Sequence, residues 1–368
     1  MPRRQIVACF ALPLRQAAWG LGNCYNDPEQ RRRLLDPKAD HIKPRQTSIT
    51  GKLASMSQDA FETSRLLREN ISRVVLGKEE VVQLLVVALL SGEHVLLEDV
   101  PGVGKTLAAK ALAQSLHGSF ARLQFTPDLL PTDITGSAIY RSDSQDFEFK
   151  QGPIFNHVVL ADEINRAPPR TQSALLEAMS EGCVSIDGVT HTLPKPFIVV
   201  ATQNPFEFEG TYALPESQMD RFLLRSTIGY PNREVEKKVM STHRLGEPVD
   251  DLQPVVSAEQ ICQAQAATRD VRFDESLVDY LLEIVEGTRK HEAFQVGVST
   301  RGALSYYRGC QAKAITEQRD FVTPDDIKSL AIPCLSHRLL SEGMFQDVGQ
   351  QTIRQQLTEL VESIPVPM

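Results

Sequence analysis

The chain has one tryptophan, 6% aromatic residues and only six cysteines among 368 residues. No apolar run approaches the ~20 residues that a membrane-spanning helix needs; the best, Val81–Leu90, is short and interrupted by Gln83. The cysteines (Cys9, Cys24, Cys183, Cys262, Cys310, Cys334) are scattered, with no C-x-x-C pair and no His at zinc-ligand spacing. That excludes a disulfide-stapled scaffold and reads as reduced thiols of a cytoplasmic protein, packed as small hydrophobes. A basic excess is lacking too: the net charge of −8 argues against a whole-protein nucleic-acid footprint. What is present, 42% hydrophobic and 23% charged residues, describes a globular chain with a large core and a smaller companion.

Charge is unevenly spread. Residues 1–55 carry ten Lys/Arg against four Asp/Glu, net +6, which leaves net −14 on the remainder. That stretch holds Trp19 and the breakers Asp27-Pro28, Asp36-Pro37 and Lys43-Pro44, and no helix or strand pattern persists in it. Arg3-Arg4 before Ile6–Leu14 has the outline of a signal peptide, but Pro13 breaks the run and no small-residue cleavage site follows. Residues 1–55 therefore read as a disordered N-terminal extension, with the folded protein opening near Met56.

Beyond it, Phe61, Leu67, Ile71 and Val74 recur at helical spacing, and a loop at Gly77 precedes a second helix, Glu79–Leu90. His94–Glu98 suits a buried parallel strand and leads into Asp99-Val-Pro-Gly-Val-Gly-Lys-Thr106. There Gly102 and Gly104 let backbone amides turn toward phosphate oxygens. Lys105 supplies positive charge, and the Thr106 hydroxyl can ligate Mg²⁺. Leu107–Leu116 reads as a helix whose N-terminus faces the same phosphates. Asp99 stands where the full P-loop pattern has its first Gly, so the Gly-Lys-Thr gains its weight from the strand and helix around it.

A second strand, Val158–Ala161, ends in Asp162-Glu163, 57 residues after Lys105. Two carboxylates at a strand tip suit two tasks: Asp162 can hold the Mg²⁺ shell and Glu163 can polarise an attacking water. A third strand, Phe197–Thr202, ends in Gln203-Asn204-Pro205. Asn204 is either a turn starter or the neutral amide that orients water against a γ-phosphate.

Four blocks then stand together: PGVGKT (Pro101–Thr106), VVLADEINRAPPRTQSALLEAM (Val158–Met179), ATQNP (Ala201–Pro205) and ESQMDRF (Glu216–Phe222). In type and order, across roughly residues 60–340, they resemble AAA+ ATPases of the MoxR family. The resemblance implies an α/β fold: a P-loop NTPase αβα sandwich with a mainly parallel five-stranded sheet over 56–245, and a C-terminal all-helical lid over 246–368. It implies ATP with Mg²⁺, held by Gly77, Pro101, Gly102, Val103, Gly104, Lys105, Thr106, Leu107 and Asp162. Lys105 and Thr106 would belong to Walker A, Asp162 and Glu163 to Walker B, and Asn204 to sensor 1. Arg221 would be an arginine finger reaching a neighbouring subunit, and Arg301 a sensor 2 residue, in a stretch that matches the family more loosely. The resemblance further implies a homo-oligomeric, hexameric ring and chaperone-like remodelling, maturation or metal insertion of client proteins. A von Willebrand A domain partner would come in trans, since no D-x-S-x-S site occurs in this chain.

Two hairpins fit the same branch. Ile134–Arg141 with Phe147–Gln151, and Cys183–Ile186 with Val189–Leu193 about the turn-forming Asp187-Gly188, are similar to ribbons that face a pore or client in related motors. The C-terminal third carries helix signals: a capping box at Ser257-x-x-Gln260, Asp274 as a cap with Gly287 as stop, and a cap at Thr323-Pro324-x-Asp326. Nucleotide is expected between core and lid, with hydrolysis moving one against the other. The competing readings are a magnesium-chelatase-like or nucleic-acid-remodelling motor, a nucleotide-switched scaffold without turnover, and a small-molecule kinase. The acidic body disfavours nucleic acid, Glu163 and Asn204 disfavour the inert scaffold, and the lid disfavours the kinase.

Overall fold

The structure, a computed structural model, describes residues 47–100, 102–143, 145–205, 210–242, 247–341 and 346–367; Trp19 and Pro101 lie outside them. Helix α1 (Thr47–Ser72) starts nine residues before Met56, inside the stretch expected to be an extension. The last breaker is Pro44, and lengthening an existing helix adds one hydrogen bond for each residue fixed. Helix α2 (Glu79–Ser91) follows, then β1 (Val95–Glu98), α3 (Lys105–Ser115), β2 (Leu116–His117), β3 (Phe120–Gln124) and α4 (Pro131–Thr135). The first hairpin is β4 (Gly136–Arg141) and β5 (Asp146–Gln151), before β6 (Val158–Asp162) and α5 (Pro169–Glu181). The second is β7 (Cys183–Ile186) and β8 (Val189–Thr192), before β9 (Ile198–Gln203), α6 (Glu216–Met219), β10 (Leu224–Ser226) and α7 (Arg233–Thr242). The C-terminal part comprises β11 (Val256–Ser257), α8 (Ala258–Arg269), α9 (Glu275–Lys290), β12 (Phe294–Val296), α10 (Thr300–Thr316), α11 (Pro324–Leu335), β13 (Leu340–Ser341) and α12 (Gln346–Ser363).

The three apolar strands read from the sequence, β1, β6 and β9, lie in one parallel sheet with β3 and β10, in the order β10-β1-β9-β6-β3. The side chains of these three alternate between two covered faces, which is why they are apolar almost throughout rather than at every second position. Leu96, Val159, Ala161, Val199 and Ala201 pack with Leu175, Leu176 and Met179 of α5. Val95, Leu97, Val158, Leu160, Ile198 and Val200 pack with α1, α2, α3 and the C-terminal helices. Helix α2 is buried from Val81 to Ser91 except at Gln83, because sheet-side residues lie on one flank and α8 and α10 on the other.

The C-terminal helices begin as the sequence indicates. Ser257 and Gln260 form a reciprocal capping box, Asp274 caps α9 and Asp326 closes the cap at Thr323. Gly287 is not a stop, since α9 runs on to Lys290. A Cβ at Gly287 would lie 3.0 Å from Leu360 Cδ1, so this glycine lets α12 pack closely. Both hairpins form, although Ile134 belongs to α4 instead of β4. Asp187 and Gly188 both have positive φ (50° and 80°), as a type I′ turn requires. Phe149 of β5 stacks on His191 of β8 at 4.1 Å and joins the two ribbons.

His94, entering β1, is fully buried: its Nε2 donates to the Met179 carbonyl at 3.1 Å and its Nδ1 accepts from Val199 N–H at 3.0 Å. Burial pushes its pKa down to about 4, and burial holds His337 well below the ordinary value as well. A depressed histidine pKa stabilises the fold fully above the unfolded value and loses that contribution as pH falls toward the folded one. For His94 alone the loss between pH ~6.5 and ~4 is on the order of 3 kcal/mol. Denaturant midpoints should therefore fall steadily from pH 6.5 to 5, before most carboxylates titrate; a flat profile there would contradict this assignment.

Candidate functional site

In a parallel sheet every strand presents its carboxyl end at the same edge, and here three such ends supply one site. After β1, Gly102 (φ 82°) and Gly104 (φ 101°) take the left-handed conformation that favours glycine, and a Cβ at either would meet nothing within 4 Å. The result is an open backbone cradle at the N-terminus of α3, whose first N–H groups and dipole suit a phosphate. Asp99 explains its own departure from the P-loop pattern. Its carboxylate accepts from Val100 N–H at 2.8 Å and from Gly229 N–H at 2.5 Å, and its own N–H donates to the Gln203 carbonyl at 3.2 Å. It ties the loop to the segment after β10 and to the tip of β9.

Lys105 is buried, with Nζ donating to the Asp99 carbonyl and to the Gln203 carbonyl at 3.3 Å. Burial lowers its pKa, while Asp99, Asp162, Glu163 and Glu98 pull it back up. A cation among four carboxylates is ready for an anionic ligand that would replace its carbonyl partners. Val103, Thr106 and Leu107 flank it in sequence, while Gly77 (φ 67°) packs against α7, where an added Cβ would lie 2.8 Å from Val235 Cγ2.

At the tip of β6, Asp162 Oδ1 accepts from Thr202 Oγ at 2.6 Å, and Oδ2 accepts from Arg122 Nη2 at 2.6 Å. Thr202 also accepts from Glu163 N–H at 2.9 Å, so one buried hydroxyl registers both acidic residues against β9. Glu163 itself adopts φ 57°, ψ 50°, a left-handed conformation that costs a non-glycine residue about 1–2 kcal/mol. Its Oε2 accepts from Gln124 Nε2 at 2.9 Å and pairs with Arg166 Nε at 3.0 Å. Strain held at a strand tip by three neighbouring side chains is the kind found at functional sites. Asn204 is buried at the tip of β9, next to these groups in the strand order.

The oxygen donors Thr106 and Asp162 fit Mg²⁺, which takes few protein ligands and completes its shell with water and phosphate. For that, the half-exposed Arg122 must yield its hold on Asp162 Oδ2. Arg122, Gln124, Thr202 and Arg166 were not singled out from the sequence. The polar residues alternating through Phe120–Gln124, on a strand beside β6, were the available signal for the first two.

Arg221 and Arg301 lie elsewhere. Leu223 N–H donates to the His94 carbonyl at 2.9 Å, which puts the residues before β10 beside the amino end of β1. Arg221 Nη1 donates to the Leu176 carbonyl and, at 2.9 Å, to Ser180 Oγ, on the last turns of α5. Arg301 lines the same cleft of about 340 Å³, with Glu93, Asp220 and Arg308. The lid is seated on α2 by apolar burial, and Arg301 lines this cleft at the amino end of β1, whose carboxyl end leads into the cradle.

Residues 94–224 match the family described as ATPase family associated with various cellular activities (AAA), and residues 286–360 match the AAA lid domain. The uncharacterized protein YeaC of Bacillus subtilis is 47% identical over 302 residues, 82% of this chain and 93% of that one. Chaperone MoxR1 of Mycobacterium tuberculosis is 39% identical over 313 residues, 83% of this chain and 82% of that one. A crystal structure of a Cytophaga hutchinsonii protein, named for a proposed ATPase activity, superposes with a TM-score of 0.78 at 35% identity, over 87% of this chain and 99% of that one. With the P-loop cradle, the paired strand-tip carboxylates and these relatives, the chain belongs to the MoxR family of AAA+ ATPases.

Proposed function

We propose that this chain hydrolyses ATP with Mg²⁺ in a ring of identical copies, each site completed by arginines of the neighbouring copy, and uses the cycle to remodel client proteins. One observation carries the reading: the cradle and carboxylates occupy one edge of the sheet, and Arg221 and Arg301 occupy the other. A protomer alone holds half of a phosphoryl-transfer site at each edge, and a head-to-tail contact would join the halves.

Lys105 and the amides at Gly102–Thr106 would hold the phosphates, and Asn204 would orient water. Glu163 would accept the proton of that water, after exchanging its contacts with Gln124 and Arg166. Magnesium, when bound through Thr106 and Asp162, neutralises charge building on the β- and γ-oxygens. Arg221 and Arg301 would meet that charge from the next copy. The chaperone name of a relative supports action on a client protein; a hexamer in the cytoplasm and a von Willebrand A domain partner are what the family resemblance implies. The two stacked hairpins expose Tyr140, Phe147 and Val189, an apolar surface suited to a client.

Lys105→Ala should lose most ATP affinity, whereas Glu163→Gln should bind ATP and turn it over far more slowly; equilibrium binding and phosphate release measure the two. Wild-type turnover by Glu163→Gln would remove it from the reaction. Arg221→Ala should bind ATP normally yet lose ~10³–10⁵ in rate, the scale known for arginine fingers. Specific activity should rise with protein concentration. Mixing Arg221→Ala with Lys105→Ala should restore activity, because some contacts then pair an intact cradle with an intact arginine. A monomer with full, concentration-independent turnover would refute both ring and finger.

A further inference from the structure

The arginine edge is held by a buried ion pair that joins the helical domain to the core. Arg338, in the 3₁₀ turn Ser336–Arg338 after α11, is only 4% exposed. Its Nε donates to Asp220 Oδ1 at 2.8 Å, and its Nη2 donates to the Phe222 carbonyl at 2.6 Å and the Asp220 carbonyl at 3.4 Å. Nη1 reaches the Leu223 carbonyl at 3.0 Å and the Cys334 carbonyl. The guanidinium thus grips the backbone on both sides of Arg221. The other oxygen of Asp220 accepts from Ser299 Oγ at 2.9 Å. That hydroxyl also caps α10, accepting from Gly302 N–H at 2.9 Å, and Arg301 lies in the first turn of α10. One carboxylate therefore touches the supports of both arginines. Gly302 is bare for the same reason: a Cβ there would lie 2.8 Å from Arg338 Cδ.

We propose that Asp220 and Arg338 are positioning residues that lock Arg221 and Arg301 into one rigid pair, presented together to the neighbouring copy's phosphates. This rests on the finger reading above. Neither residue would touch nucleotide. Their effect would appear in the turnover of the neighbour's site and not in the nucleotide affinity of their own.

The test uses full-length Asp220→Asn, which keeps the shape and the Ser299 contact, and Gly302→Ala, which removes no polar group and displaces chiefly Arg338, with a lesser press on Val298 Cγ1 at 3.0 Å. At concentrations where wild-type specific activity has reached its plateau, kcat should fall roughly 10- to 100-fold, the scale of a ~1 Å misplacement of a catalytic group. KM and ATP affinity should stay within about twofold, because a lost transition-state contact leaves ground-state binding alone. Adding excess Lys105→Ala, which offers an intact arginine pair and no working cradle, should restore turnover; adding Arg221→Ala should not. Wild-type kcat in both variants, or no rescue by Lys105→Ala, overturns the proposal. If Arg221→Ala itself keeps full turnover, the finger reading falls and takes this with it; if Arg221→Ala is inactive while Asp220→Asn and Gly302→Ala are unimpaired, only the lock falls.

Discussion

Everything in this molecule follows from the polarity of a parallel sheet. Its strands all point one way, so the loops that can reach a ligand gather at the carboxyl edge, and the residues that enter strands gather at the other. The cradle after β1, the carboxylates after β6 and the amide after β9 converge because the order β10-β1-β9-β6-β3 makes those three strands neighbours. The same polarity sends Arg221, just before β10, away from them. Arg221 therefore lies at the opposite edge of the sheet from its own chain's cradle.

Buried polar ties convert that topology into fixed geometry. Thr202 binds Asp162 and the Glu163 amide, Asp99 binds Val100 and Gly229, and Arg225 pairs with Glu98 at 3.2 Å between β10 and the last residue of β1. Burial makes the Thr202–Asp162 and Arg225–Glu98 ties costly to break, since the abandoned partner would be left without solvent. Glu163 keeps its left-handed conformation among Thr202, Gln124 and Arg166, contacts that a free strand end would not offer.

Much of this was legible in the sequence, wherever chemistry and local periodicity lie in one stretch of chain. Gly102–Thr106 between an apolar strand and a helix, and Asp162-Glu163 at the end of Val158–Ala161, are such stretches. Reading failed where the cause lies far away. Gly287 looked like a helix stop and is a gap for Leu360. Thr47–Ala54 looked irregular and continues α1. Arg338 gave no signal, because its partner Asp220 is 118 residues distant and only the folded lid brings them together. Arg301 was given its role by likeness to a motif alone, and its place in a cleft with Arg221 and Asp220 came only with the folded lid.

That packing has a mechanical meaning. Helix α2 is buried from Val81 to Ser91 except at Gln83, covered by sheet and lid at once, and residues 48–368 cluster as one unit. A wide apolar contact of this kind resists sliding, so a protomer behaves as a stiff link with its joints at its borders. In the ring proposed above, movement would then fall at the seams between copies, where one copy's cradle would meet the next copy's arginines.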